Sequence, residues 1–483
     1  MYPFDWERLL DILTYHPQEP MIFSSGLFLW LFFGFSVVYA CLSRHDRARM
    51  VFVILFSYYF YYKSSGFYFF LLGLVTLTDY TLARLMEQTV RPLLRKLLVT
   101  ASLLTNLGLL VYFKYTNFFF QTTFDIFLPV GISFFTFQSL SYTIDVYRKD
   151  IRALHSLLDY AFYVSFFPQL VAGPIVRARD FLPQIHRPLV VTREMFGQGV
   201  FLVLSGLFKK AILSDYISIN FVERIFDNPG LYSGIENLFG IYGYALQIYC
   251  DFSGYSDMAI GIALLLGFHF PENFRSPYKA DSITDFWHRW HISLSTWLRD
   301  YLYISLGGNR KGQLRTYANL LVTMLLGGLW HGASWNFLVW GGLHGLALAL
   351  HKWVRSLTHK PKGYHSHGWR RMAGIIVTFH FVCFCWIFFR NTSFEHSLIM
   401  LGQVFGHFTP QLFGQLVTGY WLVFAFIGLG FTLHFLPDHW QKMGERAVIA
   451  LPLAGKILLV LFWVYLVIQL KSTEIQPFIY FQF

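Results

Sequence analysis

"LLGGLWHGASWNFLVWGGLHG" occupies residues 325–345. It is strongly apolar, yet it holds two histidines and two glycine pairs. The pair Gly327-Gly328 predicts the end of one helix, and Ser334 suits the cap of the next. Trp330, His331 and Gly332 then fall in a short bend. An ionisable side chain at membrane depth is expensive and is a functional candidate by default. The plainer alternative is that His331 hydrogen-bonds a carbonyl left unpaired at the bend. His344 and His351 share one face of the following helix at i and i+7, and packing or interface roles are expected for them.

The rest of the chain supports a membrane setting. Of its 483 residues 55% are hydrophobic, 20% are aromatic and only 13% are charged. An average soluble domain has about 25% charged residues. Mean hydropathy is +0.46. No long polar stretch could fold separately, so one all-α, multi-pass membrane body is expected. The formal net charge of +11 gathers in loop clusters, which fits cytoplasmic loops beside a bilayer rather than nucleic-acid binding. The four cysteines show no zinc spacing and no disulfide framework. No cleavable signal peptide is apparent, and residues 1–21 read as a periplasmic interfacial segment.

Apolar runs divide the chain further. N-terminal membrane helices are expected over 22–127, a core over 128–352, a basic cytoplasmic loop over 353–371 and further membrane helices over 372–483. The basic clusters at 44–49, 91–96 and 148–152 alternate onto one side if the N-terminus is periplasmic. Residues 157–175 contain "FFPQLVAGP" and are followed by another basic loop, so they read as a re-entrant segment. The expected total is about eleven to thirteen membrane helices, re-entrant segments included.

Residues 251–311 carry unusual polarity. Ser282 and Asp285 form a capping-box pattern, so a helix should begin near Ile283 and stop at Gly307-Gly308. Trp287, Trp290, His291, Trp297 and Tyr301 recur on it at helical spacing, while Arg299 and Asp300 sit on other faces. Such a helix either rests on the membrane surface or turns His291 into a protein cavity. Asp251, Asp257 and Tyr255 lie in "DFSGYSD", where Asp251 and Ser253 suit a capped helix junction as well as a polar path. There is no G-x-S-x-G, Walker A, H-E-x-x-H or dinucleotide fingerprint. No metal set is expected. Histidine is then the best available acid or base. Broken helices with buried Asp and His would also suit a transporter, though no repeat of two halves is visible.

Six stretches together carry a resemblance: "LPVGISFFTFQSLSYTIDVYR" (128–148), "FPQLVAGPI" (167–175), "YCDFSGYSDMAIG" (249–261), "PENFRSPY" (271–278), "DFWHRWHISLSTWLRDYLYISLGGNR" (285–310) and the opening stretch. They resemble the membrane-bound O-acyltransferase family, in its bacterial alginate O-acetylation branch. The looser "WIFFRNTSFEHSLIML" (386–401) follows. The resemblance implies a ring of helices with funnels meeting at a central histidine. It implies acyl transfer from a thioester to a hydroxyl, with His331 and His291 at the two catalytic positions. Trp287, Trp290, Trp297, Trp330 and Trp335 are the aromatic candidates for the substrate path. Asp251, Tyr255, Arg299, Asp300, Gly332 and Asn336 are the supporting ones. It further implies acetyl-CoA as donor with no permanently bound cofactor, a periplasmic SGNH-hydrolase-type partner, a polysaccharide acceptor and a bacterial inner-membrane location. D-alanyl transfer to teichoic acid from a carrier protein is the alternative acyl chemistry. One departure is His288, where the family pattern carries Arg, so it is not counted as catalytic.

Overall fold

Regular structure in the computed structural model is helical throughout, with no strand among the described residues. These are 5–122, 124, 126–359 and 366–470. The ends of the expected interfacial and C-terminal segments, and residues 360–365 of the basic loop, lie outside them. By length and composition Asp46–Gln88, Pro92–Phe120 and Gly368–Arg390 can each cross a membrane. Pro410–Gly419 and Trp421–Phe435 form a further apolar stretch bent by 95°. Gly26–Cys41 and Leu453–Gln469 are shorter apolar helices. Other long helices, such as Gly234–Leu265, carry buried polar groups that dilute their hydropathy.

The chain forms two compact units. Among the described residues, one comprises 5–196 together with Ala259–Pro271, and the other comprises Gly197–Met258 and 272–470. In the first unit, helix Asp46–Ser65 is capped by Gly66, whose φ of +61° favours glycine, and helix Phe69–Gln88 follows. Asp79, on that second helix, is completely buried. It accepts hydrogen bonds from Ser102 Oγ at 2.6 Å, Asn106 Nδ2 at 2.8 Å and the Ser139 hydroxyl. Three donors offset the desolvation of one carboxylate and tie three helices together. Residues 157–175 break as their Pro and Gly content requires, into helices Leu157–Ser165 and Phe167–Leu170 followed by irregular chain. Phe167 within this break is wrapped by Phe23, Phe28, Phe32, Phe35, Phe56 and Phe60.

The second unit is built on a close helix pair, Gln313–His331 and Trp335–Leu357. Three expectations change here. The pair Gly327-Gly328 does not end a helix but lies inside one. A Cβ on Gly328 would come within 2.2 Å of the Phe337 carbonyl oxygen, and one on Gly341 within 2.4 Å of the Met324 carbonyl oxygen. The glycines are there to let two backbones touch. His331 is consequently the last helical residue, and the bend begins at Gly332. The expected junction at Asp251 and Ser253 is also absent, because helix Gly234–Leu265 runs unbroken for 32 residues. Finally, the aromatic helix expected from Ile283 to the Gly307-Gly308 stop is broken. It starts as predicted, with Ser282 Oγ accepting the Asp285 N–H at 3.3 Å. It stops at Trp287 and restarts at Ile292. His291 sits between, at φ +43°.

Replacing Gly328 by Val should force the helix pair apart. Overpacking of this kind costs about 1–3 kcal/mol. The expected result is a lower unfolding temperature for purified protein in detergent, whereas Leu326→Val on the exposed face of the same helix should leave it near wild type.

Candidate active site

The break at His291 is held by Asn273. The Asn273 side-chain oxygen accepts the Ser293 N–H at 3.1 Å and the Ser293 hydroxyl at 2.9 Å, and lies 3.2 Å from His291 Nδ1. Its amide nitrogen donates to Ser256 Oγ at 3.0 Å, and its backbone carbonyl accepts the Ile292 N–H at 2.9 Å. A backbone N–H can only donate, so the Asn273 oxygen is fixed as an acceptor. The neutral His291 ring therefore carries its proton on Nδ1 and its lone pair on Nε2. Phe252 meets the ring edge-on at 4.6 Å and Phe274 stacks at 6.2 Å. His291 is 0% exposed, as befits a side chain packed in protein rather than one resting at a membrane surface.

His331 closes helix Gln313–His331 inside an aromatic box. Trp330, Trp340 and Phe389 meet its ring edge-on at 4.9, 5.0 and 5.0 Å, and Phe337 stacks at 6.4 Å. The ring is 3% exposed. Gly332 is required beside it, since a Cβ there would overlap the Phe337 ring at 2.0 Å. Trp330 also contacts His291, at 6.2 Å between ring centroids. One indole thus joins the two histidines that the sequence picks out.

The other predicted residues divide. Trp287, Trp290, Trp297 and Tyr255 are buried. Trp290 packs against Phe274 at 5.0 Å and Trp386 at 5.0 Å, and Trp287 against Trp340 at 5.8 Å. Trp297 packs on Tyr301 at 5.1 Å. Asn336 is buried and donates to the Asn391 carbonyl at 2.8 Å, which ties the box to the end of helix Gly368–Arg390. Trp335 is 67% exposed. Arg299 and Asp300 pair with each other at 2.7 Å on a π-helical turn, with Arg299 largely exposed. Asp251 is not a cap. It faces Lys210 at 2.6 Å, and Lys210 also reaches Asp215 at 2.7 Å. Asp257 pairs with Lys209. His351 Nδ1 lies 2.7 Å from the Thr284 hydroxyl.

Sequence reading missed two participants. Asn273 lies inside the quoted "PENFRSPY" but was not singled out, although an Asn beside a chain break is a recurrent side-chain-to-backbone device. Lys210 gave no signal, because its partners are Asp215, just after its own turn, and Asp251, on a separate helix. No group of three or more metal-ligating side chains occurs among the described residues.

A family model, MBOAT, membrane-bound O-acyltransferase family, matches residues 105–395 and so covers both histidines and their box. The chain belongs to this family. It is an enzyme, an O-acyltransferase, and a multi-pass membrane protein. A probable alginate O-acetylase of Pseudomonas putida is 36% identical over 96% of this chain and 100% of its own length. The Helicobacter pylori peptidoglycan O-acetyltransferase is 38% identical over 68% of each chain. The Bacillus subtilis teichoic acid D-alanyltransferase is 30% identical over 55% of this chain and 70% of its own. The branch suggested by the quoted motifs is thereby supported, and the transporter reading is set aside.

Lys210→Met should leave Asp215 and Asp251 buried without their shared cation. Breaking a buried ion pair by removing one partner costs about 3–5 kcal/mol. The expected outcome is a sharp fall in monodisperse protein after mild heating, partly restored when Asp251→Asn is added.

Proposed function

We propose that this acyltransferase moves an acetyl group from cytoplasmic acetyl-CoA towards hydroxyls of an extracytoplasmic polysaccharide, with His331 as general base. The observation that carries the reading is His331 itself: an imidazole sealed among four aromatic rings, within the matched family region and joined to His291 through Trp330. The acceptor specificity rests on the names of the alginate and peptidoglycan relatives.

The proposed step balances simply. His331 takes the proton of an incoming hydroxyl as its oxygen attacks the thioester carbonyl carbon. The C–S bond breaks, an ester forms, and the departing thiolate receives the proton from the imidazolium. His291 positions or polarises the thioester, and Asn273 is a positioning residue acting through it. Trp287, Trp290, Trp297 and Trp330 line the acyl path. In this reading the protein sits in the bacterial inner membrane with a periplasmic N-terminus. A periplasmic SGNH-hydrolase-type partner passes the acetyl group to the polysaccharide.

His331→Ala should remove general-base catalysis, a loss of about 10²–10⁴-fold. Ester-linked acetate on the cell's envelope polysaccharide, released by mild alkali at matched membrane expression, is the measurement. Loss of acetate supports the assignment, and normal acetate overturns His331 as base. If alkali releases D-alanine in place of acetate, the alternative carrier-protein chemistry replaces it.

Asn273→Ala should misplace His291 without touching His331. Misplacement by about 1 Å can cost about 10²-fold in rate. Acetate transfer should fall by that order in protein that still purifies as a single species, and Asn273→Asp should retain more activity than Asn273→Ala because its oxygen still accepts from Ser293.

A further inference from the structure

One buried histidine lies outside both the aromatic box and the matched family region. His434 stands near the end of helix Trp421–Phe435, past residue 395 where the family match stops. It is 5% exposed, with Tyr249 edge-on at 4.6 Å and Tyr278 at 5.2 Å. Its Nε2 accepts the Tyr278 N–H at 3.1 Å. A backbone N–H can only donate, so this nitrogen is an acceptor and the neutral ring carries its proton on Nδ1. One residue further along, the Lys279 ammonium donates to the Leu436 carbonyl at 2.7 Å and to the Asp438 carboxylate at 2.9 Å.

Pro277, Tyr278 and Lys279 form a single 3₁₀ turn, and a donor at the start of such a turn has no partner within it. Ser276, just before the turn, holds a left-handed φ of +41°. That conformation is costly for a residue with a Cβ and persists only where the surroundings over-determine it. These residues belong to the strap 273–280 that carries Asn273. At its other end the strap is bonded to the break around His291: Asn273 to Ile292 and Ser293, and the Arg275 N–H to the Arg289 carbonyl at 2.9 Å. Those bonds join strap and break to each other and would let the two shift together. The strap takes its outside reference from Ser256 and the Ala245 carbonyl on helix Gly234–Leu265, and from His434 and Leu436.

We infer that His434 is a positioning residue for the acyl-transfer step: by accepting the Tyr278 N–H it pins the strap, and through Asn273 it keeps His291 in place beside Trp330. This deepens the reading of Asn273 and His291 given above and rests on it. His434 touches no reacting atom, and its task needs a lone pair rather than a charge. A histidine near the end of an apolar helix gives no sign of this in sequence, because Tyr278 comes from a distant segment.

The test uses inside-out membrane vesicles from cells expressing the full-length chain, prepared with their envelope polysaccharide. Acetyl-CoA labelled in its acetyl group is the donor, and alkali-labile label on the polysaccharide is the product. His434→Phe keeps a ring and removes the acceptor. It should lower turnover per chain about tenfold, the equivalent of one hydrogen bond. The KM for acetyl-CoA should change by less than about twofold, as expected of a group that acts on the transition state. His434→Gln offers an amide oxygen to the same N–H and should recover most of the turnover. In an Asn273→Ala background His434→Phe should cost less than about twofold, because residues acting through one route do not add. Normal turnover in His434→Phe, or no recovery with His434→Gln, would overturn the inference. So would the full tenfold loss repeated in the Asn273→Ala background, which would place the effect elsewhere in the fold. Should His434→Phe fail to fold, Lys279→Met releases the neighbouring tie and carries the same expectation. Impaired Asn273→Ala with normal His434→Phe overturns the role of His434 alone. Normal turnover in Asn273→Ala overturns the reading of Asn273 and His291, and this inference with it. Wild-type vesicles that transfer no label overturn the donor assignment and this inference together.

Discussion

Backbone contact at Gly328 and Gly341 governs the position of almost everything near His331. Side chains there would collide with carbonyl oxygens of the facing helix. With hydrogen alone at both positions, the two helices approach closely enough for Phe337 and Trp340 to reach across to the imidazole. The same closeness places His331 at a helix end, where Gly332 can turn the chain without a Cβ. In a membrane the hydrophobic effect does not press helices together, so dispersion between close surfaces has to do so. The glycine seam is therefore a condition for the box as well as for the helix pair.

Much of this was legible in the residues. Composition alone sets the all-helical membrane class, because hydropathy and charge leave no soluble alternative. His331 stood out because an ionisable ring is conspicuous in an apolar run. Helix boundaries were harder. Gly327-Gly328 has the local look of a stop, and only the facing helix shows that the pair serves contact instead. The break at His291 was hidden for the opposite reason. Every residue from Ile283 to Tyr301 suits a helix, and the interruption is imposed by Asn273, which comes from outside it. Lys210 and its pairing with Asp215 and Asp251 escaped because residue spacing says nothing about partners on separate turns and helices.

Burial of polar groups follows two different solutions in this chain. Asp79 is surrounded by neutral Ser and Asn donors from two neighbouring helices. Asp251 and Asp215 instead share one ammonium. Both solutions give directional contacts where apolar packing gives none, and each fixes the register of the helices that supply its members. The π-helical turns from Phe208 to Ser214 and from Ser218 to Val222 bracket Asp215. Lys209 and Lys210 lie within the first of these wider turns and meet Asp257 and Asp251 on one facing helix.

With His331 as the proposed base, the aromatic box around it has a meaning for fidelity. An activated acyl group can be lost to water as readily as it is passed to a hydroxyl. Four rings packed on the imidazole leave a chance water few polar groups to hold it in an attacking position. Excluding solvent from a reacting centre suppresses such side reactions. In the proposed step, greasiness around the histidine, which first made it conspicuous, serves as insulation: it keeps a short-lived chemical potential from leaking away before the proper acceptor arrives.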